Sequence, residues 1–396
     1  MTTETNTPQT VPSSGSGRTP ATRQAAPGLA RTSISGRVLV AAGSQEQYKY
    51  PELIKTEASS LDTTGLVVCG ADAVATMRRI RASHPDLFLV FDPPENDRFT
   101  ATADDPFPQE GEPEDSLFSL PRATLVERIQ SQIDAGASIA MTPTGHIQAG
   151  DRSALRAVIT ETNKLKRDDF VVVLPLAPKW LVGPALKTVM AAVKRSTHPV
   201  AITLCDSNSD PMSHKGVLDG AHELAAMENP PMFHKTDLAG LDAMAHGALA
   251  ASVGVIASKR RGGVPGRPPF ASRTKRGANV LIDDLLRFRR SLDMQDQWYA
   301  SRAAPDCDCQ VCDSQPIDRF TSEDYDCVIA AQHNAIMVIS YINEASAAGG
   351  FPLYWPDKVR DAIVAHAALS QYVGTKIDPP RELLAWNKGY AADAGH

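Results

Sequence analysis

The sequence predicts an α/β protein: a (β/α)8 barrel of the TIM type, with a small cysteine-containing subdomain near its C-terminal end. Short β-branched apolar runs recur along the chain, and segments with the apolar spacing of helices alternate with them. Continuous apolar runs are typical of parallel strands that are buried on both faces. About eight such strand–helix units favour a closed barrel. A cluster of cysteines after the last unit predicts the subdomain.

The strands and helices of the barrel are predicted from residue 37 onward. The predicted strands are Val38–Val40, Leu66–Cys69, Leu87–Phe91, Ile139–Met141, Phe170–Leu174, Val200–Leu204, Met232–Phe233 and Ser252–Ile256. The predicted helices include Ala123–Ile133, Arg152–Leu165, Ala185–Val193, Val217–Met227 and Leu238–Leu249. An open doubly wound sheet is the alternative, but no G-x-G-x-x-G sequence follows the first strand to support it. We therefore assign residues 37–300 to the barrel.

The composition is that of a soluble globular protein. The chain has 396 residues, of which 42% are hydrophobic and 22% are charged. No stretch approaches the roughly 18 apolar residues that cross a bilayer, so we expect no membrane partner. The N-terminus lacks an apolar signal core, which predicts a reducing, cytoplasmic location. Residues 1–36 contain almost no large apolar side chain, and we expect them to form a disordered tail.

The charge is unevenly distributed, although the net charge of −6 gives no overall attraction to nucleic acid. Residues 256–290 hold ten Lys and Arg against two Asp, whereas residues 101–120 hold six acids and no base and are expected to form a surface loop. The basic segment is rich in Gly and Pro, which predicts a loop that contacts phosphates. A solvated run of charges is the alternative. The predicted nucleic-acid-binding residues are Lys259, Arg260, Arg261, Arg267, Arg273, Lys275 and Arg276.

Half of the six cysteines lie in one short segment, C-D-C-Q-V-C at residues 307–312. Cys307, Cys309, Cys312 and the later His333 have the ligand types and the spacing of a tetrahedral Zn²⁺ site. Cys327 is the competing fourth ligand. We assign residues 301–350 to a zinc-binding subdomain, with a helix over 326–346, and residues 351–396 to a C-terminal helical segment with a helix over 360–372.

Three carboxylates follow predicted strands at the end of the barrel where active sites lie, and could supply a nucleophile and a general acid or base. Asp92 follows the third strand, Asp206 the sixth and Asp237 the seventh. Each also has a structural alternative: Asp92 precedes two prolines of a turn, Asp206 lies in a polar loop, and Asp237 could cap a helix.

The order of these parts resembles the tRNA-guanine transglycosylase superfamily, in which a barrel carries a zinc subdomain near its end. The C-x-C-x-x-C sequence of that family and its later H-N pair match residues 307–312 and His333-Asn334. The resemblance is specific over residues 300–345 and topological over 85–300. It implies a structural zinc ion held by His333 rather than Cys327. It also implies pairing as a homodimer or heterodimer through the zinc subdomain.

The activity implied by this resemblance is base exchange on nucleic acid, either tRNA or, as in the DNA-modifying branch, DNA. A carboxylate would attack the sugar C1′ as the base leaves, and a purine of the 7-deazaguanine type would resolve the covalent intermediate. Asp92, in F-D-P-P-E-N, looks like the acid/base aspartate of the family, without the glycines that line its base pocket. Residues 252–260, which match the nucleophile region, contain no carboxylate, so Asp206 or Asp237 would replace it.

Two other functions are compatible with the same residues. The first is a catalytically inactive, zinc-stabilised subunit that binds nucleic acid or accompanies an active enzyme. The second is a different barrel enzyme, acting on a small anionic substrate held by Lys235 and Lys259.

Overall fold

The structure, a computed structural model, describes residues 28–43, 47–70, 72–109, 122–207, 209–267 and 277–393. Most of the predicted tail and residues 110–121, which include the second half of the acidic segment, therefore lie outside the described residues. Among the helices of the described ranges, none has the length and apolar character needed to cross a membrane.

Eight parallel strands form the centre of the protein. They are β1 (Val38–Ala41), β2 (Thr64–Val68), β3 (Leu89–Phe91), β4 (Ala140–Met141), β5 (Phe170–Leu176), β6 (Val200–Leu204), β7 (Met232–Thr236) and β8 (Ala251–Gly254). Strands that follow one another in the chain are paired, and β1 also pairs with β8. A parallel bridge between Val90 and Ile139 joins β3 to β4 and closes the sheet. The predicted (β/α)8 barrel is confirmed, and the alternative of an open sheet is wrong.

Alternate residues of the strands face the two sides of the barrel wall. In β1, Leu39 and Ala41 belong to the cluster that fills the barrel, whereas Val38 and Val40 pack toward the surrounding helices. All four side chains are buried. This double burial explains why the strands read as continuous apolar runs in the sequence.

Helices cover the outer face of the barrel, apart from the first helix, which lies across one end. They are α1 (Leu29–Ile34), α2 (Tyr50–Glu57), α3 (Ala73–Ser83), α4 (Glu95–Arg98), α5 (Leu125–Asp134), α6 (Arg152–Asn163), α7 (Pro184–Arg195), α8 (Val217–Ala225) and α9 (Ala239–Ala245). Helix α5 begins with a capping box, in which Thr124 and Glu127 each accept a backbone N–H from the other. Helix α9 ends before the predicted limit at Leu249, because the chain turns at Gly247 (φ 98°) toward β8.

Helix α1 closes the N-terminal end of the barrel. Ala30 and Ile34 are fully buried in the same cluster as the interior strand residues. The N–H of Ala30 donates to the carbonyl of Asp168 (2.8 Å) and that of Gly36 to the carbonyl of Leu249 (2.8 Å), just before β5 and β8. The predicted boundary of the tail at residue 36 is therefore corrected: residues 29–34 are helical and belong to the barrel.

The segment after the barrel has its own hydrophobic cluster. Its elements are β9 (Asn279–Ile282), β10 (Arg287–Arg290), α10 (Ser291–Gln297), β11 (Asp306–Cys307), β12 (Gln315–Pro316), α11 (Asp324–Ala347), α12 (Phe351–Val373) and α13 (Arg381–Asp393). The cluster includes Val280, Met294, Trp298, Cys312 and Phe320, so it begins upstream of the predicted boundary at residue 301. Helix α11 packs on α2 and β9, and α12 packs on α9 and α13. The small subdomain is thus attached to the side of the barrel.

Candidate metal centre and barrel mouth

The three cysteines of the small subdomain surround one nitrogen of His333. The Sγ atoms of Cys307, Cys309 and Cys312 lie 3.6, 3.5 and 3.4 Å from His333 Nδ1. Tetrahedral bonds of about 2.3 Å to sulfur and 2.05 Å to nitrogen would separate N and S by about 3.6 Å. The four residues could therefore hold a metal ion of that size, and their donor set is compatible with zinc.

The hairpin loop between β11 and β12 gathers the thiols. Cys307 ends β11, and the N–H groups of Cys312 and Asp313 both donate to the carbonyl of Cys309 (2.9 Å each). Asp313 and Ser314 have positive φ angles of 51° and 55°, which reverse the chain within two residues. Hydrogen bonds among the thiols lower the pKa of Cys309 and raise that of Cys307, which shows how closely the three sulfur atoms approach one another.

The His333-Asn334 pair connects this centre to the barrel. His333 Nε2 donates to the carbonyl of Leu281 (2.8 Å), so that Nδ1 faces the thiols. The Oδ1 of Asn334 accepts the N–H of Leu281 (2.7 Å). Its Nδ2 donates to the carbonyls of Val255, just after β8, and Asn279 (2.8 Å each). Cys327 is exposed and lies outside the four-atom cluster, whereas His333 lies within it.

Asp92 lies at the C-terminal end of β3, as predicted, but its carboxylate is enclosed. It is 4% exposed and contacts Lys235 Nζ (3.1 Å) and His234 Nε2 (3.3 Å), with Lys259 Nζ farther away at 3.9 Å. Burial, the largest single effect, would raise the pKa of Asp92, but the charge of Lys235, the hydrogen bond and charge of His234 and the charge of Lys259 together outweigh it and lower the pKa. For Lys235, burial lowers the pKa, but the charges of Asp92 and Asp97 outweigh burial and raise it. Both groups therefore stay charged as an ion pair.

An irregularity in β7 lets two consecutive side chains reach Asp92. Lys235 has a φ of 53°, rare for a residue with a side chain, and the pairing of β7 with β8 shifts between Phe233 and Thr236. In a regular strand His234 and Lys235 would face opposite sides. The Oγ of Ser252 on β8 accepts the Lys235 N–H (2.8 Å) and contacts His234 Nδ1 (2.8 Å). The His234 ring is thereby oriented toward the carboxylate.

Asp206 lines a large cavity at the same end of the barrel. Its carboxylate contacts His214 Nε2 (2.8 Å) and accepts the hydroxyl and N–H of Ser209 (2.8 and 3.1 Å). The cavity has a volume of about 660 Å³. Its wall includes Thr100, His146, Lys179, Cys205, Lys215 and Arg267. We call it the mouth cavity.

His146 is a buried polar group at this cavity that sequence reasoning did not single out. It is 4% exposed, and none of the described residues hydrogen-bonds to its Nδ1. Burial lowers the pKa of His146, which favours the neutral ring. The only sequence signal is its place shortly after β4, because it belongs to no motif.

Asp237 has a separate set of partners on the outer side of β7. It accepts the N–H of Ala239 at the start of α9 (2.9 Å), but the N-cap residue of this helix is Leu238, one position later than the capping alternative predicted. Burial raises the pKa of Asp237. Burial and the charge of Asp237 together raise the pKa of the nearby Asp210 to about 8. The three predicted catalytic carboxylates thus share the mouth end of the barrel but have different partners.

The basic loop is only partly directed to solvent. Besides Lys259 at Asp92, Arg260 is turned inward, where it donates to the carbonyl of Gly254 (3.0 Å) and stacks on the ring of Phe288 (3.2 Å). Arg261 is half-buried, and Arg267 is exposed at the mouth cavity. The loop crosses the end of β6 at Gly262, where a Cβ would lie 2.5 Å from Cys205 Sγ. Arg273, Lys275 and Arg276 lie outside the described residues.

Comparisons with known proteins show no family. No protein-family model and no curated protein matches the chain. Among solved structures, the chain is similar to the dihydrodipicolinate synthase from Aquifex aeolicus, with a TM-score of 0.33 and 11% identity. The similarity covers 57% of this chain and 71% of that one. The barrel is established by the strand pairing described above and not by this similarity.

Proposed function

We propose that this chain is a zinc-stabilised barrel protein that exchanges a base in nucleic acid, by the chemistry of the transglycosylase type. The observation that carries the proposal is the Cys₃His centre, joined to the end of β8 through the His333-Asn334 pair. This is the combination on which the resemblance to the tRNA-guanine transglycosylase superfamily rests. Thiol ligands fit a reducing compartment, so we place the protein in the cytoplasm.

The zinc ion would be structural in this proposal. Cys307, Cys309, Cys312 and His333 supply four protein ligands, which leaves no open position for a water molecule or a substrate. The ion would stabilise the subdomain that lies beside the mouth, and the reaction would depend on the side chains of the barrel.

Asp206 is the best candidate for the attacking carboxylate. Of the three predicted residues it is the one that lines the mouth cavity, whose volume of about 660 Å³ is in the range of small-molecule sites. Its oxygen would bond to C1′ as the bond from C1′ to the base nitrogen breaks, and the leaving base would take a proton from His214. The incoming base would then attack C1′ through its ring nitrogen, lose the proton of that nitrogen to His214, and release the carboxylate. Asp92 is less suited, since Lys235 neutralises its charge.

The enclosed state of Asp92 favours a second candidate function, the catalytically inactive subunit. In this alternative the Asp92–Lys235 pair only stabilises the mouth, and the protein binds nucleic acid without reacting with it. Residues 252–260, which contain no carboxylate, support the same alternative.

Incorporation of labelled guanine, or a labelled 7-deazaguanine, into tRNA and into duplex DNA tests the proposal. We expect incorporation by the wild type and a loss of about 10³-fold or more in Asp206→Asn, because the nucleophile is removed. Asp219→Asn, an exposed carboxamide change on α8, is the matched control and should retain full activity. Wild-type rates in Asp206→Asn would refute the role of Asp206. Incorporation into neither substrate, with binding retained, would favour the inactive subunit.

A further inference from the structure

A second cavity of about 660 Å³ lies on the outer wall of the barrel, between α6 and α7. Its floor is aliphatic and is formed by side chains such as Leu155, Ile159 and Ala192, each less than 10% exposed. Its rim carries the cations Arg152, Arg156, Lys187 and Arg195. We call this surface the α6–α7 groove.

The groove carries positive charge that the protein does not neutralise. All four rim cations are exposed, and none is ion-paired to another residue in the part of the chain that the structure describes. The lining includes no carboxylate. The nearby acid of α6, Glu161, already contacts Lys164 at 2.6 Å. Such a surface attracts a polyanion, and in a protein with a net charge of −6 the concentration of cations is a local feature.

The lining of the groove lies close along the chain to that of the mouth cavity. Gln148 and Ala149 line the mouth cavity and come directly before α6, which begins at Arg152. Lys179 and Val182 line the same cavity and come directly before α7. A chain that leaves the mouth between these two loops therefore enters the groove. Helix α6 has 12 residues and is about 18 Å long, enough for several consecutive phosphates.

We propose that the α6–α7 groove binds the phosphate backbone of the nucleic acid whose base enters the mouth cavity. This inference rests on the proposed function, which supplies the nucleic acid. The groove extends the nucleic-acid interface beyond the basic loop identified in the sequence, of which Lys259 and Arg260 are turned toward the protein. The lining contains no aromatic side chain on which a base could stack, so the contacts are with phosphates and sugars and do not depend on base sequence.

Binding of fluorescently labelled 20-nucleotide single strands of two unrelated sequences, followed by anisotropy at several salt concentrations, tests the proposal. The groove variant combines Arg152→Gln, Arg156→Gln, Lys187→Gln and Arg195→Gln. The control variant combines Lys55→Gln, Arg78→Gln, Arg79→Gln and Lys388→Gln, four exposed cations elsewhere with the same change of net charge. Circular dichroism establishes that both variants are folded.

We expect the groove variant to bind both sequences at least about tenfold more weakly than the control variant at 0.1 M salt. Its plot of log K against log salt should be less steep by up to about 3, because each contact with a single strand contributes about 0.7 to the slope. The wild type and the control variant should differ much less. Groove-dependent binding without base exchange would support the binding role of the groove and would contradict the proposed base-exchange activity.

Equal affinities of the groove and control variants would overturn the inference, even if base exchange is observed. A strong preference of the groove for one of the two sequences would also overturn it. So would tighter groove-dependent binding of a poly-glutamate peptide than of an oligonucleotide of equal charge, because an acidic protein segment would then be the better occupant.

Discussion

The ammonium group of Lys235 lies between the carboxylates of Asp92 (3.1 Å) and Asp97 (3.0 Å), in a position where its side chain is only 2% exposed. A buried ion pair contributes little net stability compared with apolar residues, but the removal of one partner leaves an uncompensated charge. The pair therefore contributes more to the positions of the side chains at the mouth than to net stability. Removal of one partner alone should nevertheless lower the free energy of unfolding.

We expect Lys235→Met to lower the free energy of unfolding by about 3–5 kcal/mol, because Asp92 would remain buried without its closest counter-ion. Adding Asp92→Asn in the same chain should restore part of the loss. Urea denaturation of the single and double variants measures both effects, with Lys215→Met, an exposed lysine, as the control. A single variant as stable as the control would contradict the importance of the ion pair.

Asp210 should make stability depend on pH. Its pKa in the folded protein is about 8, whereas an unfolded aspartate has a pKa of about 3.9. The folded state therefore binds the proton more tightly. The stabilisation from this proton is complete below about pH 4 and is lost as the pH rises toward 8.

Asp210→Asn should remove this dependence, because the amide stays neutral at every pH. Relative to wild type, the variant should gain stability between pH 5 and 8, reaching at least about 1 kcal/mol at pH 8. Urea titrations at pH 5, 6, 7 and 8 measure the difference, with the exposed Asp219→Asn as reference. A difference that is constant over this range would show that Asp210 is ionised in the folded protein.

At the scale of elements, helix α11 is tied to two different parts of the molecule by adjacent residues. His333 faces the thiols of the hairpin loop, and Asn334 bonds to β9 and to the end of β8. The long helix thus fixes the metal centre relative to the barrel wall. This accounts physically for the H-N pair that the sequence analysis used only as a motif.

Asn334→Leu should lower the free energy of unfolding by about 2–4 kcal/mol, because it removes the acceptor of the Leu281 N–H and a donor to each of the Val255 and Asn279 carbonyls. The bound metal should remain at one ion per chain, since the four ligands are unchanged. Urea denaturation and elemental analysis measure the two quantities. Asn343→Leu on the same helix, where the amide is half-buried, should cost less. Loss of the metal in Asn334→Leu would show that the hydrogen bonds of Asn334 also position the metal ligands.

Across the whole molecule, the residues around the metal centre form a hydrophobic cluster of their own, although α11 and α12 also pack in the main cluster that surrounds the barrel. Removal of the metal should therefore affect the small subdomain more than the barrel. After treatment with a chelator, we expect the amides of β9 and β10 to exchange hydrogen faster and those of β5 and β6 to keep their protection. Hydrogen exchange with mass spectrometry measures both regions in one sample. Uniform acceleration would indicate that the two clusters unfold together, and no change would contradict a structural role for the ion.

The barrel could be predicted from the sequence because its strands are buried on both sides and leave an uninterrupted apolar signal, as in Phe170–Leu176. The metal ligands could be predicted because three of them lie within one short loop. Helix α1 could not, since it has only six residues and Ala30 and Ile34 are the only two of them that are buried.

The contacts at the mouth were harder to predict than the position of its residues. The position of Asp92 could be predicted because it follows a strand. Its neutralising partner, Lys235, lies more than a hundred residues later and reaches Asp92 only through an irregularity in β7, so this contact could not be predicted. Likewise, Asp206 and Asp237 end neighbouring strands yet face different surroundings, because successive side chains of a strand point to opposite sides.

The seal that α1 forms has a practical consequence for expression of shorter versions. A fragment that starts at residue 37, the boundary suggested by the sequence, would expose to solvent the apolar side chains that Ala30 and Ile34 now cover. Exposed hydrophobic patches promote self-association, so such a fragment should aggregate at concentrations where one starting at residue 28 stays monodisperse in light scattering.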